Sequence, residues 1–176
     1  NPKYSGAECV GAAISFTANA PGYDTYAWEF GDPAGGTSSQ RDPMYTYASA
    51  GTYTVKLKAT DSKGFLPDCS KDISVTIKPS PTVDMTLLNQ PAQCFETNKF
   101  CFADSSLPAP GSSLVRTTVL FSDGGLIEVI NPPATREFCY EIKDPKGGYF
   151  DVTVELEDAN GCVTKVKFPK MIRVWP

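Results

Sequence analysis

Trp28-Glu29-Phe30-Gly31-Asp32, followed by Pro43, by Tyr45-Thr46-Tyr47-Ala48-Ser49-Ala50-Gly51-Thr52-Tyr53-Thr54-Val55-Lys56-Leu57 and by Asp61, decides the fold. Tyr53, Val55, Leu57 and Ala59 alternate with Thr54, Lys56, Lys58 and Thr60. A period of two places the first set on a dry face of a β-strand and the second on a wet one. The stretch also occurs twice. Thr54–Asp61 aligns without a gap on Asp151–Asp158, with Gly51 on Gly148, Tyr53 on Phe150 and Gly64 on Gly161. Upstream, Phe30-Gly31-Asp32 falls on Phe121-Ser122-Asp123, Tyr45 and Tyr47 on Phe138 and Tyr140, and Ile14 and Phe16 on Phe100 and Phe102. The offsets between these blocks differ by a few residues, as loop insertions in a shared strand framework would produce. Repetition on this scale means one supersecondary unit used twice.

Two units follow, 1–79 and 80–176, joined near Lys78-Pro79-Ser80-Pro81. Prolines there predict a short, stiff connection and an elongated pair with a restricted angle. The 14 glycines and 15 prolines punctuate the chain as short strands joined by turns require, and no segment sustains a helical period. Sandwich strands with one dry face each are the expectation.

The spaced elements W-x-F-G-D, Pro43, and G-x-Y-x-V-x-L with a later Asp resemble the signature of the PKD domain, an immunoglobulin-like β-sandwich of extracellular proteins. Tyr45 stands where that family usually has His, and Pro33 replaces the second Gly of its turn. The resemblance covers most of residues 10–78. The second copy is degenerate, with Val119 for the Trp and Ser122 for the first Gly, and is PKD-like. The fold class expected is all-β, two tandem immunoglobulin-like (PKD-like) β-sandwiches. Because such modules usually occur in arrays, the chain reads as a fragment of a larger, bacterial or archaeal, multidomain protein.

Six cysteines, at 9, 69, 94, 101, 139 and 162, predict disulfides and hence a secreted or cell-surface location. Cys9 and Cys94 both precede the first core strands, and Cys69 and Cys162 both follow the Asp…Gly turn, so the repeat pairs Cys9 with Cys69 and Cys94 with Cys162. Cys101 and Cys139 remain; immunoglobulin-like topology sets them outward on neighbouring strands, bonded to each other. A zinc site is disfavoured by the spacing of Cys94 and Cys101 and by the lack of any His.

Without His, no Ser-His-Asp or Cys-His nucleophile exists. Asp32 and Asp123 belong to different units and cannot pair as acid and base; each is expected to cap its own turn. Asp61 and Asp158 precede hairpin turns and are candidate calcium ligands, although no D-x-D-x-D run accompanies them; otherwise no cofactor is expected. Trp28 is expected in the core. Tyr4, Tyr23, Tyr26 and Tyr149 are candidate contact residues, and Trp175 is expected to pack on a following domain or stand partly exposed. A net charge of −4 without a basic patch argues against nucleic acid, and no apolar run is long enough to span a bilayer.

The reading is a non-catalytic extracellular module: a rigid spacer or adhesive segment whose partners are other domains of the same protein, or protein or polysaccharide ligands. Two alternatives stand beside it. One is a substrate-holding accessory pair of a secreted hydrolase. The other is a self-associating fibre subunit, which needs an unpaired edge strand; Met171–Trp175 is the candidate for it, although that segment is expected to complete its own sheet instead.

Overall fold

The computed structural model describes residues 1–176 and divides into two compact units, Asn1–Pro79 and Ser80–Pro176. The first contains β1 (Lys3–Ser5), β2 (Ala13–Thr17), β3 (Thr25–Glu29), β4 (Thr37–Ser38), β5 (Met44–Thr46), β6 (Gly51–Thr60) and β7 (Cys69–Ile77). A three-stranded sheet β1-β2-β5 packs against a four-stranded sheet β4-β3-β6-β7. Alternation along β6 buries Tyr53, Val55, Leu57 and Ala59, which meet Ile14 and Phe16 of β2 across the core. Trp28 lies in that core, its ring 5.7 Å from Phe16 and its Nε1 donating to the Gln40 carbonyl at 3.0 Å.

The second unit contains β8 (Met85–Leu87), β9 (Ala92–Cys94), a 3₁₀ turn (Phe95–Thr97), β10 (Phe100–Asp104), β11 (Leu114–Phe121), β12 (Leu126–Ile130), β13 (Arg136–Tyr140), β14 (Gly148–Asp158) and β15 (Val163–Trp175). Its sheets are β13-β10-β8 and β12-β11-β14-β15-β9. Strand for strand the order is that of the first unit, with β9 added in parallel beside the end of β15. A corresponding parallel contact occurs in the first unit as the bridge between Cys9 and Lys78, just past β7. The architecture is all-β and immunoglobulin-like.

The pairing corrects one alignment. Ile14 faces Tyr45 and Phe100 faces Tyr140, so Tyr45 corresponds to Tyr140, not to Phe138. Phe138 faces Phe102 where Pro43 accepts the Phe16 N–H, and Tyr47 corresponds to buried Ile142. A two-residue slip in a strand keeps every side chain on its face, so alternation alone could not detect it. Met171–Trp175 completes its own sheet, as expected: it lies between β14 and β9 and is no free edge.

Gly31 shows how the two units differ locally. Its φ is +74° and an added Cβ would meet the Thr54 carbonyl oxygen at 2.3 Å, so only glycine fits. Ser122, its counterpart, has an ordinary φ and uses its hydroxyl to accept the Asp151 N–H at 3.0 Å.

Candidate functional site

Each unit carries the same aromatic turn. Phe30 stacks on Tyr45 with centroids 4.0 Å apart, and Phe121 stacks on Tyr140 at 4.0 Å. The tyrosine lies over a glycine: a Cβ on Gly36 would sit 2.1 Å from the Tyr45 hydroxyl, and one on Gly125 2.0 Å from that of Tyr140. The hydroxyl faces the turn aspartate, Tyr140 donating to Asp123 Oδ2 at 3.2 Å and Tyr45 to Asp32. Asp32 Oδ1 accepts the Gly36 N–H at 2.9 Å, and Asp123 Oδ1 the Gly125 N–H at 3.0 Å. The Gly36 N–H, aided by the Tyr45 hydroxyl, holds the Asp32 carboxyl below its usual range against the opposing effect of burial. Burial first, then Asp123, pushes the Tyr140 hydroxyl up. These carboxylates are turn caps, each tied to its own loop and to a tyrosine of the facing strand, and Asp123 Oδ2 also accepts the Lys143 N–H at 3.0 Å.

The calcium candidates have the same employment. Asp61 accepts the N–H groups of Lys63, Phe65 and Leu66 at 2.8–3.0 Å. Asp158 is buried and accepts those of Asn160 and Cys162 at 3.0 and 2.9 Å, while its Oδ2 has no hydrogen-bond partner. Neither belongs to a group of three or more His, Cys, Asp or Glu side chains able to hold a metal.

Of the cysteines, Cys101 and Cys139 lie directly opposite on β10 and β13 and are bonded, with Cα atoms 4.0 Å apart. The pairings drawn from the repeat, Cys9 with Cys69 and Cys94 with Cys162, are overturned: Cys69 and Cys94 are free thiols, whereas Cys9 and Cys162 are each disulfide-bonded. The reason is the length of the last strand. Cys9 bridges Lys78 past the end of β7, whereas Cys69 opens that strand. Nine extended residues span roughly 30 Å, and a disulfide needs Cα atoms within about 7 Å. Likewise Cys94 faces Trp175 at the end of β15, and Cys162 precedes its first residue. Roughly 40 Å of strand lies between them.

Of the contact candidates, Tyr26 is buried and donates to the Tyr23 carbonyl at 2.7 Å. Tyr23 donates to the Pro67 carbonyl at 3.0 Å, and Tyr4 to Glu8 Oε1 at 2.9 Å, which with burial raises the Tyr4 hydroxyl's pKa. These three finish the rim of the first core. Tyr149 alone displays its ring, at 55% exposure. It joins Trp175 in flanking the Arg173 guanidinium, which lies 3.3 Å from the Trp175 ring centroid and 4.9 Å from that of Tyr149. This cation–π cluster on the outer face of β14 and β15 is an exposed aromatic surface, held together by the quadrupole attraction of two rings for one cation; Phe65, in the first unit, is a lone exposed ring.

One polar pair escaped the sequence reading. Asp104 and Arg136 form an ion pair with 0% and 7% side-chain exposure, Oδ2 to Nη2 at 2.5 Å. Ser106 N–H caps the other carboxylate oxygen, and Arg136 donates to Thr117 Oγ1 and the Pro133 carbonyl. The signal was present: Asp104 continues the inward parity of Phe100 and Phe102, and Arg136 that of Phe138 and Tyr140.

Comparison with known proteins fits this picture. Residues 5–77 match the PKD domain family model. The chain is 30% identical over 122 residues, 69% of its length, to collagenase ColA of Bacillus cereus, a match longer than the first unit. It spans 10% of that protein's length. The PKD1 domain of Vibrio anguillarum Epp is 31% identical, covering 43% of this chain and 94% of that one, with a TM-score of 0.30. The fibronectin(III)-like modules of Clostridium thermocellum CbhA are 16% identical, covering 99% and 93%, with a TM-score of 0.41. Residues 5–77, with their W-x-F-G-D turn and buried Trp28, are a PKD domain.

Proposed function

We propose that the chain is a load-bearing, non-catalytic spacer of a secreted or cell-surface protein, its second unit a diverged copy of the first. One observation carries this reading: in both units a segment just past the first strand is hydrogen-bonded in parallel to the segment that leaves. Val10 N–H donates to the Lys78 carbonyl at 3.0 Å and Lys78 N–H to the Glu8 carbonyl at 2.8 Å. In the second unit β9 runs parallel to the end of β15, and Arg173 N–H donates to the Pro91 carbonyl at 2.7 Å. Tension applied through the backbone pulls such neighbours in opposite directions along their length. The bonds are then sheared together instead of being unzipped singly. The Cys101–Cys139 bond adds a covalent limit to extension and supports an oxidising location.

Lys78→Pro tests the mechanism, because it removes the N–H that crosses to Glu8 while proline suits an extended backbone. Under reductant, which frees Cys9, the first unit should then unfold at lower force between anchored termini, with its melting temperature little changed. Equal rupture forces for variant and parent would overturn the reading.

The match to a collagenase favours a second reading, in which the pair holds a polymeric substrate for a catalytic domain elsewhere in the protein. Tyr149 and Trp175 offer a clustered aromatic surface for it. Co-sedimentation with insoluble collagen decides: loss of binding in a Tyr149→Ala/Trp175→Ala variant supports holding, and no sedimentation of the parent chain refutes it.

A further inference from the structure

The edges of the two five- and four-stranded sheets differ in a way the spacer reading leaves unused. In the first unit the edge strand β4 is two residues long and polar, Thr37 and Ser38. Its counterpart β12 has five residues, Leu-Ile-Glu-Val-Ile, and no strand beyond it. Phe121 N–H bonds the Gly125 carbonyl and Asn131 N–H the Val115 carbonyl, so residues 125, 127, 129 and 131 turn their backbone groups toward β11. Leu126, Glu128 and Ile130 therefore present theirs to solvent. Leu126 and Ile130 are 59% and 62% exposed, and Leu120 of β11 lies beside Leu126 in the same face. A long apolar edge without Lys or Pro is what folded proteins ordinarily avoid unless something pairs with it.

Charge selects the occupant. Glu128 lies centrally between the two apolar side chains, and its nearest cation, Arg116, is 3.8 Å away but bound at 2.5 Å to Glu157. A second copy of β12 pairing antiparallel about Glu128 would oppose two carboxylates, which is destabilising. We infer that β12 accepts an extended segment of another polypeptide as an added strand, with apolar residues against Leu126 and Ile130 and a Lys or Arg against Glu128. Backbone bonds supply the affinity and the alternate side chains the selectivity.

Heteronuclear NMR titration of the full chain tests this with two capped heptapeptides, TVTKTVT and TVTETVT. Shift changes should be confined to Leu120, β12 and their neighbours, with the lysine peptide binding about fivefold more tightly than the glutamate peptide. Glu128→Lys should reverse that order. Glu128→Pro, which removes an edge N–H but no bond to β11, should abolish binding while leaving the remaining spectrum in place. Equal affinity for the two peptides, changes centred elsewhere, or no changes at about 1 mM peptide would overturn the assignment. Concentration-dependent dimerisation with shifts at β12 would also overturn it, in favour of a second copy.

Discussion

Gly125→Ala should unfold the second unit's aromatic turn for a reason visible in three distances. The new Cβ would lie 2.0 Å from the Tyr140 hydroxyl, 2.1 Å from Cζ and 2.7 Å from Cε2. The ring cannot yield, because Phe121 stacks on its other face at 4.0 Å. Relief requires lifting the ring off Phe121 and away from Asp123. The stack contributes about 1 kcal/mol, the hydroxyl bond about 1 kcal/mol, and overpacking costs about 1–3 kcal/mol. These overlap, so the expected loss is about 2–4 kcal/mol. For a unit of this size that lowers the melting temperature by roughly 10–20 °C. Calorimetry of the full chain is the assay, and Gly36→Ala, whose Cβ meets Tyr45 at 2.1 Å, should do the same to the first unit. Tyr140→Ala should make Gly125→Ala nearly silent, because the clash is then gone. A shift of only about 2 °C for Gly125→Ala, or additive effects in the double variant, would refute the reasoning.

Three further outcomes are expected. Asp104→Ala should cost about 3–5 kcal/mol by stranding the buried Arg136 guanidinium, while Asp104→Leu/Arg136→Met should restore most of it; denaturant titration reads both. Cys101→Ser/Cys139→Ser opens a loop with a sequence separation of 38 and should cost about 4 kcal/mol, read by denaturant titration without reductant. The folded-state pKa of Asp32 is depressed, so its contribution is present above the unfolded carboxylate value near 4 and is lost as pH falls through the lower folded value. Melting temperature should therefore drop on acidification below about pH 4, and Asp32→Asn should blunt that drop in the first unit.

Strand positions were legible in the sequence where one face is dry: Tyr53–Ala59 and Phe150–Leu156 declare β6 and β14 by parity alone. The turn aspartates were equally legible, since Asp beside Gly satisfies loop N–H groups wherever it occurs. What failed was distance along a strand. Cys9 and Cys69 align well with Cys94 and Cys162, but alignment carries no information on which end of a nine- or thirteen-residue strand each cysteine meets. The slip of Tyr47 for Tyr45 has the same root, because a shift of two preserves parity. The exposed cation–π cluster was half visible: Tyr149 and Trp175 were singled out, but Arg173 becomes their partner only through the β14–β15 register. Asp104 and Arg136 were passed over because charged residues are rarely fully buried, although their parity pointed inward.

The tension-bearing claim is tested most directly by pulling the full chain from its two ends under reductant, so that none of the four disulfide-bonded cysteines limits extension. The account predicts two separate high-force events, one for each unit, as the parallel backbone bonds of each are sheared together. A featureless, gradual extension at low force would contradict it.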